Sequence, residues 1–508
     1  MPPARPPAPP LADPLVALLC ELPLTRQRAA GSLQRQLQQR IRQAILEGRL
    51  PCGTRLAGSR ALADSLGISR NTVTAAYDLL GAEGYIHLSR QGSTVAALAG
   101  PARSASGQRS GASSGGKGGS AAALPAIARR NTAIRDNGAS SSENLAFKPG
   151  VPALSRFPIA VWKRCLDHAI QGAGVNALGY GAPQGEPALR TAIARHLAVA
   201  RGVQCDPGQV LITEGAQEAL VLCMRLTANP GDIGWVEEPG YRGAQTAMAS
   251  ADLQVVAMRV DAGGIRIPAS AWKTHPPRII YTTPSHQYPV GGVLSAARRL
   301  ELIAHAQTHG AWIIEDDYDS EFRHAGEPIA AMQGLVPNAP VLYCGTFSKT
   351  LFPALRLGFL VLPQALLARS RLLLQETLRG GHRFEQLALA QFIEAGHFSR
   401  HLGRMRRLYR QRQAVLREAI GAHVKTPHGI CGGDSGLHLT LRLPAQFPDR
   451  HIAEAARGYD MAPAPLSRFA LHPGSEDNGL VLGYGNTSEA RMPLLVKRLA
   501  QLIAASRR

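Results

Sequence analysis

The chain has 508 residues, with 56 Lys and Arg against 36 Asp and Glu, so its formal net charge is +20 at pH 7. Hydrophobic residues make up 45% of it, so the chain can bury a sizeable core and form one large domain plus a small one, or three domains. The positive charge favours an anionic partner such as nucleic acid, with a generally basic protein as the alternative.

The seven cysteines are scattered and form no Cys-x-x-Cys pair, so neither a disulfide framework nor a cysteine-based zinc site is supported. This usage fits a reducing cytoplasm, where we expect the protein to act. Residues 1–14 are Pro-rich, which predicts disorder, and they lack the apolar core of a signal peptide. No apolar run is long enough to span a bilayer, so we expect no membrane segment.

A compact helical module is predicted over residues 15–96. Apolar residues recur at every fourth position from Leu33 to Ile45, which predicts a helix closed by Gly48. A short helix then starts at Ser59 and ends at Gly67. After a tight turn, a third helix is predicted from Arg70 onward.

The turn before the third helix is typical of a helix-turn-helix, in which two helices are joined by a short Gly-containing segment. Ser69 would cap the third helix, which opens with Arg70, Asn71 and Thr72. Residues at that end of a recognition helix reach base edges in the major groove. Residues 84–95 predict a β-hairpin that would form a wing. The alternative is a small helical bundle with an incidental hairpin.

This stretch resembles the winged helix-turn-helix of the GntR superfamily of bacterial regulators, through Leu66-Gly67-Ile68-Ser69-Arg70-Asn71-Thr72-Val73, Ala76-Tyr77 and Glu83-Gly84-Tyr85. The family's Pro-Gly-Ser-Gly wing turn is missing from Arg90-Gln91-Gly92-Ser93-Thr94. The resemblance implies double-stranded DNA as a partner and the following contact residues: Arg60, Ser69, Arg70, Asn71, Thr72 and the wing residue Gly92.

Residues 97–143 are rich in Ala, Gly, Ser and Arg, which predicts a flexible linker. From Gly84 to Arg135 the sequence has no Asp or Glu but seven Lys and Arg, so the linker could lie near DNA phosphates or be only a solvated tether. From residue 144 to residue 508, strand-like runs alternate with helical ones, which predicts an α/β domain.

Lys349 lies just after the strand-like run 341–344. A lysine in that setting can form a Schiff base with the aldehyde of pyridoxal phosphate (PLP). Thr346 and Ser348 could bond the phosphate of PLP, and Arg356 could clamp it with two hydrogen bonds.

Two earlier segments offer further groups for such a cofactor. Gly215, Ala216 and Gln217 follow a strand-like run and open a helix, whose N–H groups and dipole favour phosphate. Tyr241 follows Pro239-Gly240 after another strand and offers a ring that could stack on the pyridine. Each signal alone is weak, since a glycine before a helix and a tyrosine after a turn are both common.

A third segment, residues 315–321, ends a predicted strand in carboxylates. Asp316 could keep the pyridine nitrogen protonated, and Tyr318 could donate to the ring's phenolic oxygen. A Mg²⁺ or Ca²⁺ cluster is the alternative for these carboxylates. No EF-hand spacing accompanies them, so we predict no metal site.

The order of these residues resembles the aspartate aminotransferase superfamily (PLP fold type I) over about residues 144–500. The resemblance implies PLP as cofactor and a homodimer in which Tyr180 reaches the partner subunit's phosphate. Residues 285–289, Ser-His-Gln-Tyr-Pro, stand where ordinary aminotransferases carry an Asn-Pro pair. Arg468 lies where the fold commonly places a carboxylate-binding arginine, which makes it a candidate effector contact, with a surface arginine as the alternative.

The GntR-like module, the linker and the aminotransferase-like domain together resemble the MocR subfamily (GabR-like and PdxR-like regulators), with hallmark segments at 283–289, 315–322 and 345–353. The resemblance implies a non-enzymatic transcription factor that binds promoter DNA and senses an amine, an amino acid or PLP itself. A working aminotransferase and an inert dimerisation domain are the alternatives. Gly243 offers no side chain for a carboxylate, which argues against γ-aminobutyrate as effector.

Overall fold

The computed structural model of the protein describes the following residues: 16, 24, 32–89, 92–96, 145–324, 329–378, 380–472 and 474–507. The chain divides into two compact units, Met1–Ser120 and Ala121–Arg508. The tail predicted over 1–14 and the linker predicted over 97–143 lie outside the described residues, so the predicted domain boundaries stay predictions.

The first unit combines helices with a two-stranded hairpin. Its elements in chain order are α1 (Leu33–Leu46), α2 (Ser59–Leu66), α3 (Arg70–Ala82), β1 (Ile86–Ser89) and β2 (Gly92–Val95). Leu37 and Ile41 of the predicted stripe are fully buried and pack with Leu62, Val73 and Leu80 in one core. The winged helix-turn-helix predicted from the sequence is confirmed.

The second unit has the predicted α/β fold. Its strands are β3 (Val210–Thr213), β4 (Ile233–Glu238), β5 (Gln254–Asp261), β6 (Gly264–Ile265), β7 (Ile279–Thr282), β8 (Trp312–Asp317), β9 (Val341–Thr346), β10 (Gly358–Val361), β11 (Gly429–Cys431), β12 (His438–Arg442), β13 (Ala464–Pro465) and β14 (Gly479–Gly483).

The helices of this unit surround those strands. They are α4 (Ile159–Ala173), α5 (Pro187–Arg201), α6 (Ala216–Thr227), α7 (Arg242–Ser250), α8 (Ala271–Thr274), α9 (Ala296–His309), α10 (Gln364–Thr377), α11 (Arg383–Glu394), α12 (His397–His423), α13 (Asp449–Arg457) and α14 (Met492–Ala505). Among the described residues, none of the helices combines the length and apolar character that crossing a membrane requires.

Eight strands form the main sheet, in the order β3-β10-β9-β8-β7-β4-β5-β6. Strand β10 runs antiparallel to both of its neighbours and β6 antiparallel to β5, whereas the other strands run parallel. Successive residues of a strand point to opposite faces, and so Val210 and Ile212 pack in one core while Leu211 packs in another. An antiparallel sheet, β11-β12-β14-β13, lies in the carboxyl-terminal part of the chain.

The carboxyl ends of the parallel strands meet at one edge of the main sheet. The residues at those ends are Thr213, Glu238, Asp261, Thr282, Asp317 and Thr346. The predicted cofactor residues between 215 and 349 lie at these strand ends or shortly after them. The sheet topology therefore brings these residues to the same edge of the sheet.

Candidate functional site

Lys349 lies in the turn that follows β9, with its side chain half-buried. Its Nζ donates a hydrogen bond to the carbonyl oxygen of Gly150 at 2.8 Å. Gly150 has φ +75°, and a Cβ there would lie 3.0 Å from the lysine Nζ, so this close approach requires glycine. The loop before α4 therefore holds the amine at the carboxyl edge of the sheet.

Asp316 is buried near the end of β8. One carboxylate oxygen, Oδ2, accepts a hydrogen bond from the hydroxyl of Tyr281 at 2.7 Å. The other oxygen, Oδ1, is buried and has no hydrogen-bond partner among the described residues. Burial raises the pKa of Asp316 to about 7. A donor that carries a positive charge would satisfy Oδ1 and keep the carboxylate ionised.

An anion cradle lies at the start of α6. Gly215 precedes the helix with φ +84°, and a Cβ there would lie 3.4 Å from Nη1 of Arg356. The guanidinium of Arg356 is held in place by its bond to the carbonyl oxygen of Glu214, at 2.7 Å. The N–H groups of the first helical turn, which begins at Ala216, have no partner within the helix. A phosphate between these amides and the guanidinium would satisfy both.

Thr346 and Ser348 lie in and just after the end of β9, close in sequence to Lys349. The Thr346 hydroxyl accepts a hydrogen bond from the backbone N–H of Ser348 at 3.2 Å. The threonine hydroxyl proton is therefore available for another acceptor, as a phosphate-binding role requires.

Tyr241 is half-buried just before α7, within reach of the charges of both Asp316 and Arg356. Burial raises the pKa of Tyr241 to about 12, with the nearby charges of Asp316 and Arg356 acting in opposite directions. Gln217 donates its side-chain amide to the carbonyl oxygen of Gly243 at 3.0 Å. A Cβ on Gly243 would lie 2.3 Å from the Tyr241 ring, so only glycine allows the tyrosine to occupy this position.

The residues present fit PLP. An unpartnered carboxylate oxygen suits the protonated ring nitrogen, the glycine-lined cradle suits the phosphate, and the lysine amine suits the aldehyde. These groups come from strands and turns that lie far apart in sequence.

Two predicted site residues lie elsewhere. Tyr180 is 89% exposed on its own chain. Arg468 lines an adjoining cleft of about 790 Å³, beside Tyr241 and Tyr288. The charged residues of this cleft are five cations, Lys148, Arg242, Arg450, Arg457 and Arg468, and one acid, Glu454.

Several residues that shape the site were not assigned to it from the sequence. Tyr281 and Asp319 contact Asp316 and His286, respectively, and Arg201 forms a buried ion pair with Asp317 at 2.7 Å. Tyr281 and Arg201 belong to no motif in the sequence. The sequence signals for the others were the unusual 285–289 segment, which contains His286, and the acidic 315–322 segment, which contains Asp317 and Asp319.

The hydrogen bonds of the acidic side chains at the end of β8 argue against the alternative of a bound cation there. The acidic side chains there accept hydrogen bonds from separate protein groups: Glu315 from the backbone of Met332 and Gln333, Asp317 from Arg201 and Tyr343, and Asp319 from His286. Carboxylates that diverge to different partners do not present a shared set of oxygens to one ion.

The helix of the first unit that the sequence predicts to read DNA is α3. Ser69 caps it as predicted, because its hydroxyl accepts the backbone N–H of Thr72 at 3.2 Å. Arg60, Arg70 and Asn71 are exposed near the start of this helix. The guanidinium Nε of Arg70 lies 3.5 Å from the hydroxyl of Ser59 in α2, which holds it near the helix start.

The wing is formed by β1 and β2. Gly92 begins β2 with φ +131°, and a Cβ there would lie 3.1 Å from Nε of Arg55. Arg55 pairs with Thr94 of the hairpin through an isolated bridge, so it places a cation beside the wing. The sequence reading did not single out Arg55.

Asp316→Asn is expected to stabilise the PLP-free protein at pH 8 and to weaken its binding of PLP. The pKa of Asp316, about 7, exceeds its ordinary value of 3.8 because of burial, so the folded protein binds this proton more tightly than the unfolded chain does. The contribution of Asp316 to the free energy of unfolding is therefore fully present below pH 3.8 and is lost as the pH rises through about 7. Denaturant unfolding should show a gain of about 1–3 kcal/mol at pH 8 that vanishes in acid.

Asp317→Asn is the matched control for that measurement. Asp317 is paired with Arg201, and its loss leaves a buried cation, so this variant should be destabilised by about 3–5 kcal/mol. An Asp316→Asn protein that is less stable than the parent at pH 8, or that binds PLP equally well, would contradict the assignment of Oδ1 to the cofactor ring.

Family models match both units of the chain. The model described as "Bacterial regulatory proteins, gntR family" matches residues 33–95. The model "Aminotransferase class I and II" matches residues 151–446. Among solved structures, the kynurenine aminotransferase of Pyrococcus horikoshii, solved in complex with PMP, superposes with a TM-score of 0.66 at 26% identity. That match covers 72% of this chain and 92% of the aminotransferase.

Two curated relatives match nearly the whole chain. The "probable rhizopine catabolism regulatory protein MocR" of Rhizobium meliloti is 39% identical over 465 residues, which is 91% of each chain. The pyridoxine biosynthesis transcriptional regulator PdxR of Corynebacterium glutamicum is 30% identical over 497 residues, covering 96% of this chain and 100% of the relative. The chain therefore belongs to the MocR-type transcriptional regulators, in which a gntR-family DNA-binding domain precedes an aminotransferase-like domain.

Proposed function

We propose that this protein binds promoter DNA through α3 and regulates transcription in response to an amine or amino acid, or PLP itself, that reaches Lys349. The observation that carries the proposal is a set of side chains that fit PLP in a chain whose relatives are named as regulators. A pocket kept complete in a regulator is best explained as a sensor.

The chain's own groups would bind and orient the cofactor. When bound, PLP supplies an electrophilic carbon that exchanges one amine for another. Asp316 would hold a proton at the ring nitrogen, Arg356 and the start of α6 would hold the phosphate, and Tyr241 would stack on the ring. Lys349 would supply the amine that joins the aldehyde, and its contact with Gly150 would couple a change at that amine to the loop before α4.

The adjoining cleft supports an effector with an acidic group. Its lining carries five cations against one acid, and Arg468 lies beside Tyr241 and Tyr288. A carboxylate held by Arg468 would direct the amine of the same molecule toward Lys349. This arrangement favours an amino acid over a simple amine as the signal.

A homodimer is part of the proposal. Tyr180 is 89% exposed on its own chain, which suits a residue that reaches the partner's phosphate. Two DNA-reading helices would then engage two half-sites about one or more helical turns apart. Such a dimer would act where the DNA is, in the bacterial cytoplasm.

Titration of the PLP-loaded protein with amines and amino acids tests the proposed sensing. We expect the visible absorbance band to shift with an acidic amino acid at lower concentration than with the matched decarboxylated amine. Arg468→Ala should abolish this preference and weaken the response about tenfold or more, the size of one charged hydrogen bond. Arg457→Ala is the control, because Arg457 is already paired with Glu454 at 3.5 Å.

A working aminotransferase is the second candidate, since the groups for its chemistry are present. The two functions separate in one experiment, in which the PLP-loaded protein is mixed with the responding amino acid and a 2-oxo acid acceptor. A single spectral change without product accumulation supports the sensor. Sustained conversion of the acceptor to an amino acid would support the enzyme.

A further inference from the structure

Three buried or half-buried side chains form a hydrogen-bonded chain behind the cofactor pocket. The hydroxyl of Tyr318 lies 2.9 Å from Nδ1 of His286, and the same Nδ1 lies 3.0 and 3.1 Å from the two carboxylate oxygens of Asp319. We infer that His286 and Asp319 are positioning residues, which aim the hydroxyl proton of Tyr318 into the PLP pocket. This inference rests on the proposed binding of PLP.

The position of the proton on His286 follows from chemistry. An ionised carboxylate can only accept hydrogen bonds, so the contacts of Nδ1 with both oxygens of Asp319 place the ring proton on Nδ1. The other ring nitrogen, Nε2, is buried and has no hydrogen-bond partner among the described residues. A bare Nε2 costs less than an unpaired buried N–H, which favours the same tautomer.

This tautomer determines the role of the tyrosine. Because Nδ1 carries a proton, it can only donate, and the oxygen of Tyr318 can only accept from it. The tyrosine's own proton must then point away from His286. Burial raises the pKa of Tyr318 well above its ordinary value, so the hydroxyl stays protonated and acts as a donor.

His286 and Asp319 are held in place by close packing. Gly436 has φ +81°, and a Cβ there would lie 2.3 Å from both Oδ2 of Asp319 and Cε1 of His286. A Cβ on Gly291 would lie 3.3 Å from Nε2 of the same ring. Gly436 and Gly291 thus pack closely against the imidazole of His286. The polar contacts of this ring are made at Nδ1.

Other charged and titratable groups face this chain. The carboxylates of Asp316 and Glu237 and the ring of Tyr288 act on Tyr318, and Lys349 acts on Asp319. The ring of His438 lies 4.9 Å from that of His286, with its Nε2 bonded to the carbonyl oxygen of Pro289 at 3.0 Å. None of them lies between the tyrosine oxygen and Nδ1.

A cation shared by His286, Asp319 and His438 is the competing interpretation, since their ligand atoms lie within 4.8 Å of one another. The hydrogen bonds argue against it. The Nδ1 atom and both oxygens of Asp319 already contact each other, and His438 uses Nε2 for a backbone carbonyl. The hydrogen-bonded chain explains each of these contacts without an ion.

The consequence is a control on Lys349. A hydroxyl aimed at the phenolic oxygen of PLP withdraws charge from it, which lowers the pKa of the Lys349 nitrogen in its linkage with the cofactor. His286 and Asp319 would thereby set the pH range in which the lysine exchanges with an incoming amine.

The test is a pH titration of the visible absorbance of the PLP-loaded protein. His286→Leu should raise the pKa of the Lys349 linkage by about one unit, the size of one lost hydrogen bond. Tyr318→Phe should raise it as much, and the double variant no further, because His286 acts through Tyr318. His286→Asn, whose amide can replace the Nδ1 donor, should restore the parent value.

His324→Leu is the matched control, a half-buried histidine bonded to Tyr484 rather than Tyr318. If the leucine variant of His286 does not fold, His286→Ser replaces it and should give the same rise. Equal shifts for His286 and His324 variants, or additive shifts in the double variant, would overturn the inference. The inference would also be overturned if the purified protein held one equivalent of metal and removal of that metal reproduced the pKa shift. A parent protein with no visible band would instead refute PLP binding itself.

Discussion

Lys349→Ala is expected to abolish the visible absorbance band of the PLP-loaded protein and the adduct that borohydride traps. The side chain is held at the carboxyl edge of the sheet by its bond to Gly150, at 2.8 Å, and an amine at this position is the group that can join the cofactor covalently. Alanine removes that group without opening a large cavity, because Lys349 is only half-buried. Absorbance before and after reduction, with mass mapping of the adduct, measures the effect.

Lys148→Ala is the control for this prediction, since Lys148 lines the adjoining cleft. It should keep the band and the trapped adduct. A band that survives in Lys349→Ala, or an adduct mapped to Lys148, would show that another lysine holds the cofactor. An unchanged thermal midpoint in both variants would confirm that the fold is intact.

Arg70→Ala is expected to weaken specific DNA binding by about 1–3 kcal/mol, or roughly 5- to 150-fold. Arg70 is exposed at the start of α3, the helix proposed to read bases, and its guanidinium Nε lies 3.5 Å from the hydroxyl of Ser59. A duplex selected from a random pool by the protein itself serves as the operator. Fluorescence anisotropy at fixed salt gives the affinity, and a randomised duplex gives the non-specific reference.

Arg49→Ala is the matched control, because Arg49 is an exposed arginine of the same unit that pairs with Glu47. A base-reading Arg70 should lose discrimination between operator and random duplex. Equal losses on both duplexes would assign Arg70 to phosphate contact, and equal affinities for Arg70→Ala and Arg49→Ala would show that α3 is not the reader.

The helical part of the first unit was predictable because its signals are local. The stripe from Leu33 to Ile45 and the Ser69 cap act within a few residues, so spacing alone locates α1 and the start of α3. The place of Arg55 beside the wing was not predictable, since it depends on a contact with Thr94 across the hairpin.

Strands β3, β4, β7, β8 and β9, which lie at the centre of the main sheet or lead into the site, were also foreseen, because strands that are buried on both faces are rich in apolar residues. What the pattern could not show was which face each residue takes. Leu211 and Ile212 look alike in sequence, yet they enter different cores, since neighbouring residues of a strand point in opposite directions.

The chemical groups of the site and their order along the chain can be read from the sequence, because strand ends, glycine turns and helix starts are local features. The different surroundings of neighbouring carboxylates arise only on folding: Asp317 bonds to Arg201, 116 residues away, whereas Asp316 bonds to Tyr281 and has one oxygen without a hydrogen-bond partner among the described residues. Folding also joins Lys349 to Gly150 across 199 residues. Such partners come together only when strands, helices and loops pack in the folded chain, and no local pattern encodes contacts over these separations.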